Sequence, residues 1–287
     1  MKKPDFLIIG AMKCATSSLH EQLALQSGIF MSEPKELYFF SDDEVYEKGI
    51  DWYLSFFQDA QPTDLCGEST THYTKLPTYP HTIERIKQHL PDAKFIYVMR
   101  HPIDRLISHY IHEWSLNVIS VDINQAISKH PELIEYSRYT QQLKPYFDTF
   151  GQEKVLPIFF ERLLSHPQAE LERVCQFIGY ERTPHWDETF AAKNASNERW
   201  RKTPLRQFIV SNPILETARR ILIPKTVREK IRKSWTMQKR PTLTPESYRE
   251  LETQFNEDLG TLGQWLGVSL SCENFKCVVK DESFFWV

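Results

Sequence analysis

Two groups of cationic and hydroxyl side chains each follow an apolar run that is typical of a buried strand. The first group follows Phe6–Gly10 and places a lysine shortly before three hydroxyls. A loop between a buried strand and a helix start presents free backbone N–H groups and the positive end of a helix dipole. We therefore predict a site for a phosphate or sulfate group, made by Lys13, Cys14, Ala15, Thr16, Ser17 and Ser18.

The second group begins where the apolar run Lys94–Met99 ends. Arg100 follows this run directly, and Ser108 comes eight residues later. A guanidinium forks onto phosphate oxygens, and a serine at that distance lies about two turns along a following helix. Arg100 and Ser108 are therefore a second candidate anion site.

The residue order in the first loop differs from that of a nucleotide triphosphatase, whose loop has the form GxxxxGK[ST]. Here Lys13 precedes the hydroxyls by three residues, a second glycine is missing, and the strand before Arg100 does not end in a metal-binding Asp. This order disfavours a P-loop kinase or hydrolase. Such an enzyme, or a non-catalytic nucleotide-binding module, stays as the alternative class.

Alternating strands and helices must position these residues. Apolar runs predict strands at 6–10, 94–99 and 154–160, and helical spacing predicts helices at 19–23, 103–114, 171–178 and 245–267. Pro157 places the third strand near a sheet edge. The alternation predicts an α/β fold with a central, mainly parallel sheet flanked by helices, which binds ligands at the carboxyl ends of its strands. We expect one domain over 1–287, with the basic segment 191–242 as a flap within it.

Composition narrows the function classes further. The formal net charge of −3 disfavours a nucleic-acid polymer as partner, because such proteins need a basic footprint. Five cysteines without a CxxC pair indicate reduced thiols and no zinc site. The apolar run Phe6–Met12 is too short for a signal peptide, and no stretch is long enough to span a membrane. We therefore expect a cytoplasmic protein.

The two anion-binding motifs resemble those of sulfotransferases that use 3′-phosphoadenosine 5′-phosphosulfate (PAPS). The 5′-phosphosulfate pattern GxxKxGTTxL is matched by Gly10, Lys13, Thr16, Ser17 and Leu19, with Ala15 in place of the usual glycine. The segment from Arg100 to Tyr110 matches the 3′-phosphate pattern RdPxdRxxSxY. The resemblance spans residues 4–270 and implies a P-loop-like three-layer fold, PAPS as co-substrate, PAP as product and no metal.

Shorter matches follow in the family's order. Tyr139 stands where many members have a tyrosine near the nucleotide, in a Ser-x-Tyr that replaces Gly-x-Tyr. Glu161 and Gly179 lie in segments that resemble the family's EDL and FLG. The basic loop over the 3′-phosphate and adenine is matched by Lys193, Asn194, Ser196, Arg199 and Arg201. By resemblance, these five residues, Arg100, Ser108 and Tyr139 bind the nucleotide.

The segment around Lys35 and Glu36 resembles the K-E-x-x-[FY]-F of glycan-modifying sulfotransferases and their bacterial relatives. The resemblance implies that Glu36 is the general base and that Lys35 lies near the sulfuryl group. A general base contributes about 10²–10⁴-fold to such a reaction. Lys13 is the candidate for stabilising the oxygen that leaves with PAP. His72 is the alternative base, because steroid and phenol sulfotransferases use a histidine and Gly67–Tyr73 resembles GExSPxY.

The sequence also offers candidates for the residues that bind the acceptor. Tyr38, Phe39, Glu68 and His72 are the candidate acceptor-binding residues. We expect a small molecule or natural product that is sulfated on a hydroxyl or an amine. A glycan, a lipid and a carrier-bound acyl chain are the alternatives, and the oligomeric state stays open.

Overall fold

A computed structural model describes residues 2–191, 237 and 239–287 of the chain. Its described strands are β1 (Phe6–Gly10), β2 (Ile29–Met31), β3 (Leu65–Ser69), β4 (Lys94–Met99) and β5 (Val155–Phe159). They form one parallel sheet in the order β2-β3-β1-β4-β5. The predicted α/β fold with a central parallel sheet is confirmed, and the three predicted strands are present.

Helices connect the strands and cover the sheet. Their bounds are α1 (Thr16–Ala24), α2 (Asp43–Tyr46), α3 (Ile50–Ser55), α4 (Thr82–His89), α5 (Pro102–Ser115), α6 (Ile123–Lys129), α7 (Glu132–Glu135), α8 (Tyr139–Phe150), α9 (Phe160–Ser165), α10 (Pro167–Ile178), α11 (Glu188–Ala191), α12 (Pro245–Leu266) and α13 (Phe275–Asp281). Short 3₁₀ turns span Thr71–Thr74 and Gln152–Lys154. None of the helices in these ranges has the length and apolar character that crossing a bilayer requires.

The central strand β1 is buried on both faces, which explains why its sequence is a continuous apolar run. Its first four residues have no exposed surface, as a parallel strand covered on both faces requires. Gly67 of β3 lies opposite Phe6, and a β-carbon at Gly67 would approach the Phe6 ring to 2.3 Å. The glycine therefore allows the two strands to pair.

The strand order creates the crevice that holds the predicted site. β1 pairs with β3 on one side and β4 on the other, so the chain crosses β1 between β3 and β4. Parallel sheets bind ligands at the carboxyl ends of strands where the order reverses. The loop after β1 is fixed to β4 there, because the Ala11 N–H donates to the Val98 carbonyl at 2.8 Å.

The C-terminal part covers the far edge of the sheet. β5 is the edge strand and contains Pro157, as predicted. The Trp286 Nε1 donates to the Val155 carbonyl at 2.7 Å, on that edge. The predicted helix at 245–267 is α12, which is capped by Thr244 and ends at Gly267 with φ 70°.

Candidate functional site

The loop between β1 and α1 has a backbone suited to an anion. Lys13 and Ala15 both adopt left-handed conformations, with φ 72° and 65°. α1 begins at Thr16 without a side-chain cap and with no acidic residue in its first turn. The first N–H groups of a helix have no partner within the helix, so in this loop they remain available to an anionic ligand.

Ala15 occupies the position where the resembled pattern has glycine. Its φ of 65° costs an alanine about 1–2 kcal/mol relative to the right-handed region. The neighbouring Cys14 thiol is fully buried, and burial raises its pKa to about 12. The thiol stays protonated, so Cys14 offers an anion its backbone and not its side chain.

Arg100, directly after β4, joins the two predicted anion sites. Its Nη1 donates to the Lys13 carbonyl at 3.3 Å, and its guanidinium lies 4.4 Å from the centre of the Phe160 ring. The fully buried Tyr139 holds its backbone: the Tyr139 hydroxyl donates to the Arg100 carbonyl and accepts from the Arg100 N–H at 3.2 Å. Tyr139 thus positions Arg100.

The helix α5 contributes one predicted residue and one that sequence reasoning missed. Ser108 is partly exposed on α5. Arg105 has no exposed surface, and it donates to the Met12 carbonyl at 3.4 Å and to the Ser137 hydroxyl at 2.5 Å. The Arg105 side chain therefore stabilises the loop after β1 through its hydrogen bond to Met12. Its place within the second motif was the sequence signal for it.

Lys35 and Glu36 lie beside the loop, on the segment that follows β2. The Lys35 Nζ is 2.5 Å from the Glu36 Oε1 and 3.5 Å from the Thr16 hydroxyl. Both side chains are about one-fifth exposed, at 19% and 21%. The structure therefore brings the candidate base and its neighbouring cation to the start of α1.

The Glu36 carboxylate is held in place from the strand β3. Its backbone N–H donates to the Ser69 carbonyl at 2.9 Å, and its Oε2 accepts from the Thr71 N–H at 2.8 Å. Glu36 adopts a left-handed conformation with φ 64°. The carboxylate is thus fixed at the carboxyl end of β3 and keeps about one-fifth of its surface exposed.

His72 lies between two aromatic rings. Ring centroids are 4.4 Å apart for Tyr38 and His72 and 4.6 Å apart for His72 and Tyr79. Burial, followed by the charge of Lys75, lowers the pKa of His72 to about 3. The imidazole is therefore neutral at physiological pH and binds a proton only weakly.

Phe39 and Glu68 are in the core and not in the cleft. Phe39 stacks on Tyr53 at 4.8 Å between centroids. The Glu68 carboxylate accepts hydrogen bonds from the hydroxyls of Tyr53 at 2.8 Å, Tyr73 at 3.0 Å and Thr70. Neither Phe39 nor Glu68 has exposed surface, so they do not contact an acceptor in this conformation. The prediction that both bind the acceptor does not fit the structure.

His20 is a second residue that the sequence did not single out. Its Nδ1 lies 2.8 Å from the Ser69 hydroxyl, below the segment that carries Glu36. Burial, and then the charge of Lys35, lower the pKa of His20 to about 4. The signal in the sequence is its spacing of four from Thr16, which puts both on one face of α1.

Five predicted nucleotide ligands cannot be placed, because Lys193, Asn194, Ser196, Arg199 and Arg201 lie outside the described residues. Within the described ranges, no three His, Cys, Asp or Glu side chains gather as they would around a metal ion. The described site is thus a cationic crevice. Lys13, Lys35 and Arg100 surround the start of α1, and Glu36 lies at its border.

The chain is similar to known proteins over most of this region. Residues 52–184 match a model of the sulfotransferase family. Over 212 residues the chain is 29% identical to the bifunctional heparan sulfate N-deacetylase/N-sulfotransferase 2 of Bos taurus, a match to 64% of this chain and 24% of that protein. Over 204 residues it is 30% identical to the heparan sulfate glucosamine 3-O-sulfotransferase 3B1 of Mus musculus, covering 62% and 47%. The chain thus spans about a quarter to a half of these curated relatives.

Solved structures share the fold. A sulfotransferase from Alicyclobacillus acidocaldarius superposes with a TM-score of 0.66 at 23% identity and covers 94% of this chain and 98% of its own. A mouse sulfotransferase complexed with PAP superposes with a TM-score of 0.50 at 14% identity, covering 90% and 86%. The predicted three-layer, P-loop-like fold is confirmed.

Proposed function

We propose that the chain is a sulfotransferase and that it transfers a sulfuryl group from PAPS to a hydroxyl or amine of an acceptor. PAPS supplies the sulfuryl group and leaves as PAP, and the acceptor loses one proton. The observation that carries this proposal is the contact of Lys35 with both Glu36 and Thr16. This contact places a candidate base beside the anion-binding loop. In an in-line transfer, the base must lie close to the bound sulfuryl group so that it can take the proton of the attacking acceptor.

The donor set of the crevice fits a nucleotide with several negative charges. Lys13 and the uncapped first turn of α1 would hold the 5′-phosphosulfate. Arg100 and Ser108 would hold the 3′-phosphate, with Tyr139 fixing the Arg100 backbone. The mouse enzyme of the same fold was solved with PAP, which supports this assignment.

Positioning and charge stabilisation are the main sources of catalysis in such transfers. We propose that Lys13 and Lys35 neutralise charge that develops on the sulfuryl oxygens and on the leaving oxygen. Glu36 would take the proton of the acceptor as the new bond to sulfur forms. The hydrogen bond from the Thr71 N–H and the ion pair with Lys35 orient the Glu36 carboxylate for this task.

Two observations support Glu36 over His72 as the base. The Glu36 carboxylate is partly open and lies beside Lys35, at the phosphate loop. The His72 ring stacks on Tyr79 and lies tilted against Tyr38, and its pKa of about 3 makes it a weak proton acceptor near neutral pH. We assign His72 and Tyr38 to the wall of the acceptor site.

We propose a small molecule as the acceptor, because the described wall of the cleft is made of aromatic rings suited to a flat ligand. The names of the relatives give heparan sulfate as their acceptor, so a glycan is the competing candidate. The C-terminal helices α12 and α13 pack on the same core as the sheet, which supports one domain.

One experiment tests the proposal. PAP should raise the melting temperature of the protein without Mg²⁺, and PAPS with an acceptor panel should give products heavier by one SO₃ in mass spectra. The Lys13→Ala variant should lose both effects, whereas Lys144→Ala on the exposed face of α8 should keep them. Stabilisation by ATP with Mg²⁺ but not by PAP would point instead to a nucleotide kinase or hydrolase.

A further inference from the structure

Lys75 is a buried cation that has no ion-pair partner in the part of the chain that the structure describes. It follows the 3₁₀ turn Thr71–Thr74, and only 9% of its surface is exposed. Among the described residues, its ammonium makes no hydrogen bond and no salt bridge. The Nζ lies over the Tyr136 ring, at 5.7 Å from its centre.

The backbone holds Lys75 firmly in this position. The next residue, Leu76, is clamped by the fully buried Gln142 of α8: the Leu76 N–H donates to the Gln142 Oε1 at 2.8 Å, and the Gln142 Nε2 donates to the Leu76 carbonyl at 3.0 Å. The Lys75 carbonyl accepts from the Tyr79 N–H at 3.3 Å. The ammonium is therefore preorganised, which lowers the entropic cost of binding a ligand.

The surroundings of Lys75 belong to the candidate active site. The charges of Glu36 and Glu113 favour its ammonium form, but burial outweighs them and lowers the pKa of Lys75 to about 8. Lys75 in turn lowers the pKa of His72. A buried ammonium without a hydrogen-bonded counter-ion is costly, so an anion that reaches it gains a strong interaction.

A platform of rings lies next to this cation. His72 stacks on Tyr79 and contacts Tyr38 at a tilt of 48°, and each of the three rings is only partly buried. On the other side, the Tyr136 hydroxyl and the Thr78 hydroxyl are 2.5 Å apart. The platform suits the flat face of an aromatic ring or of a sugar.

We propose that Lys75 binds an anionic group of the acceptor, so that the substrate is a carboxylate or sulfate ester whose ring lies against Tyr38, His72 and Tyr79. The inference rests on the proposed sulfuryl transfer and adds a charge requirement to it. The acceptor's nucleophile then faces Glu36, while its anion pairs with the ammonium. A neutral acceptor of the same shape would leave Lys75 unpaired.

Matched pairs of acceptors test the charge requirement. The probes are 4-hydroxybenzoate against 4-hydroxybenzamide, and 4-nitrophenyl glucuronide against 4-nitrophenyl glucoside. Binding to the PAP-loaded protein is measured by calorimetry, and turnover with PAPS is measured by mass spectrometry. We expect the carboxylate of at least one pair to bind about tenfold or more tightly than its neutral twin, the size of a charge-assisted hydrogen bond.

Variants at Lys75 separate the explanations. Lys75→Met should abolish the preference for the carboxylate, Lys75→Arg should keep part of it, and the control Lys144→Met on α8 should keep all of it. PAP binding should stay unchanged in Lys75→Met. A loss of PAP affinity would make Lys75 a nucleotide ligand, and equal losses for charged and neutral acceptors would make it structural. Either result overturns the proposal, as does a panel without charge preference. Failure of the proposed sulfuryl transfer is recognised separately, by absence of PAP binding in the unaltered protein.

Discussion

Single residues in this site take their roles from their backbone as much as from their chemistry. Glu36 and Tyr38 both have positive φ, at 64° and 58°. The intervening Leu37 and the following Phe39 are buried, whereas Glu36 and Tyr38 keep exposed surface. The twisted backbone therefore sends the carboxylate and the phenol to the cleft and sends the apolar side chains to the core.

Glu36→Gln tests the proposed base. Glutamine keeps the size of the side chain and an acceptor for the Thr71 N–H, but it cannot take a proton. We expect kcat to fall by about 10²–10⁴-fold while PAP affinity stays within about twofold. Initial rates and PAP titrations measure the two quantities. Glu44→Gln, on the exposed helix α2, is the control. If His72→Phe lost more kcat than Glu36→Gln, the base would be His72.

Glu68→Gln tests the buried carboxyl below the cleft. Burial raises the pKa of Glu68 from 4.5 to about 7, so the folded protein keeps a proton that the unfolded chain releases. The stability of the unaltered protein should therefore fall between about pH 4.5 and 7, by up to about 1.4 kcal/mol per pH unit, and level off above. The variant lacks this loss.

Denaturant unfolding at pH 5, 6, 7 and 8 provides the measurement. The stability of Glu68→Gln relative to the unaltered protein should rise from pH 5 to 7. The control Glu84→Gln, on the exposed surface of α4, should show a constant difference. A constant difference for Glu68→Gln as well would mean that its carboxyl titrates normally.

The elements of the site differ in how far the sequence predicted them. The loop after β1 and the start of α5 carry local motifs in which spacing determines geometry, so the sequence predicted where both lie. Arg105 and His20 contact Ser137 and Ser69, which lie 32 and 49 residues away along the chain, and Lys75 is distinguished by its burial. Local spacing reveals neither kind of feature. The motif gave no information on which way the side chains of Glu68 and Phe39 point, and the structure buries both.

Tyr139→Phe tests how α8 supports the strand end. The resemblance implied a contact with the nucleotide, for which a phenylalanine ring would substitute. In the structure the Tyr139 hydroxyl is bound to the Arg100 backbone. We expect the variant to lose about 1–2 kcal/mol of stability and to bind PAP several-fold more weakly.

Urea unfolding and PAP titration measure these two effects. The matched control is Tyr180→Phe, which removes a hydroxyl that donates to the Ser27 carbonyl at 3.0 Å, away from the crevice. It should leave PAP affinity unchanged. Unaltered stability and PAP binding in Tyr139→Phe would show that the hydroxyl has no positioning role.

In the whole molecule, the candidate site and the residues that cover the edge of the sheet lie at different places. The candidate site uses the carboxyl ends of β1, β3 and β4, whereas the C-terminal residues cover β5 at its first residue, Val155. An uncovered edge strand is a template for aggregation, and the Trp286 hydrogen bond occupies one carbonyl of this edge. The chain has a net charge of −3 and yet forms a local cationic crevice, because the cations of the site are gathered at one end of the sheet.

Variants of Trp286 test whether the edge strand β5 can lose stability without an effect on the candidate site. Its ring packs on Phe147 at 4.9 Å between centroids, and its indole N–H donates to Val155. Trp286→Phe loses the hydrogen bond and should cost about 1 kcal/mol, and Trp286→Ala also loses the ring contacts and should cost about 2 kcal/mol or more. Phe285→Ala, at a side chain that is 61% exposed and whose ring lies 4.7 Å from the Arg173 guanidinium, should cost less than about 1 kcal/mol. Because the tail lies at the amino end of β5, all three variants should bind PAP like the unaltered protein below their melting temperatures. A drop in PAP affinity that parallels the loss of stability would show instead that changes at the edge strand β5 alter binding in the crevice.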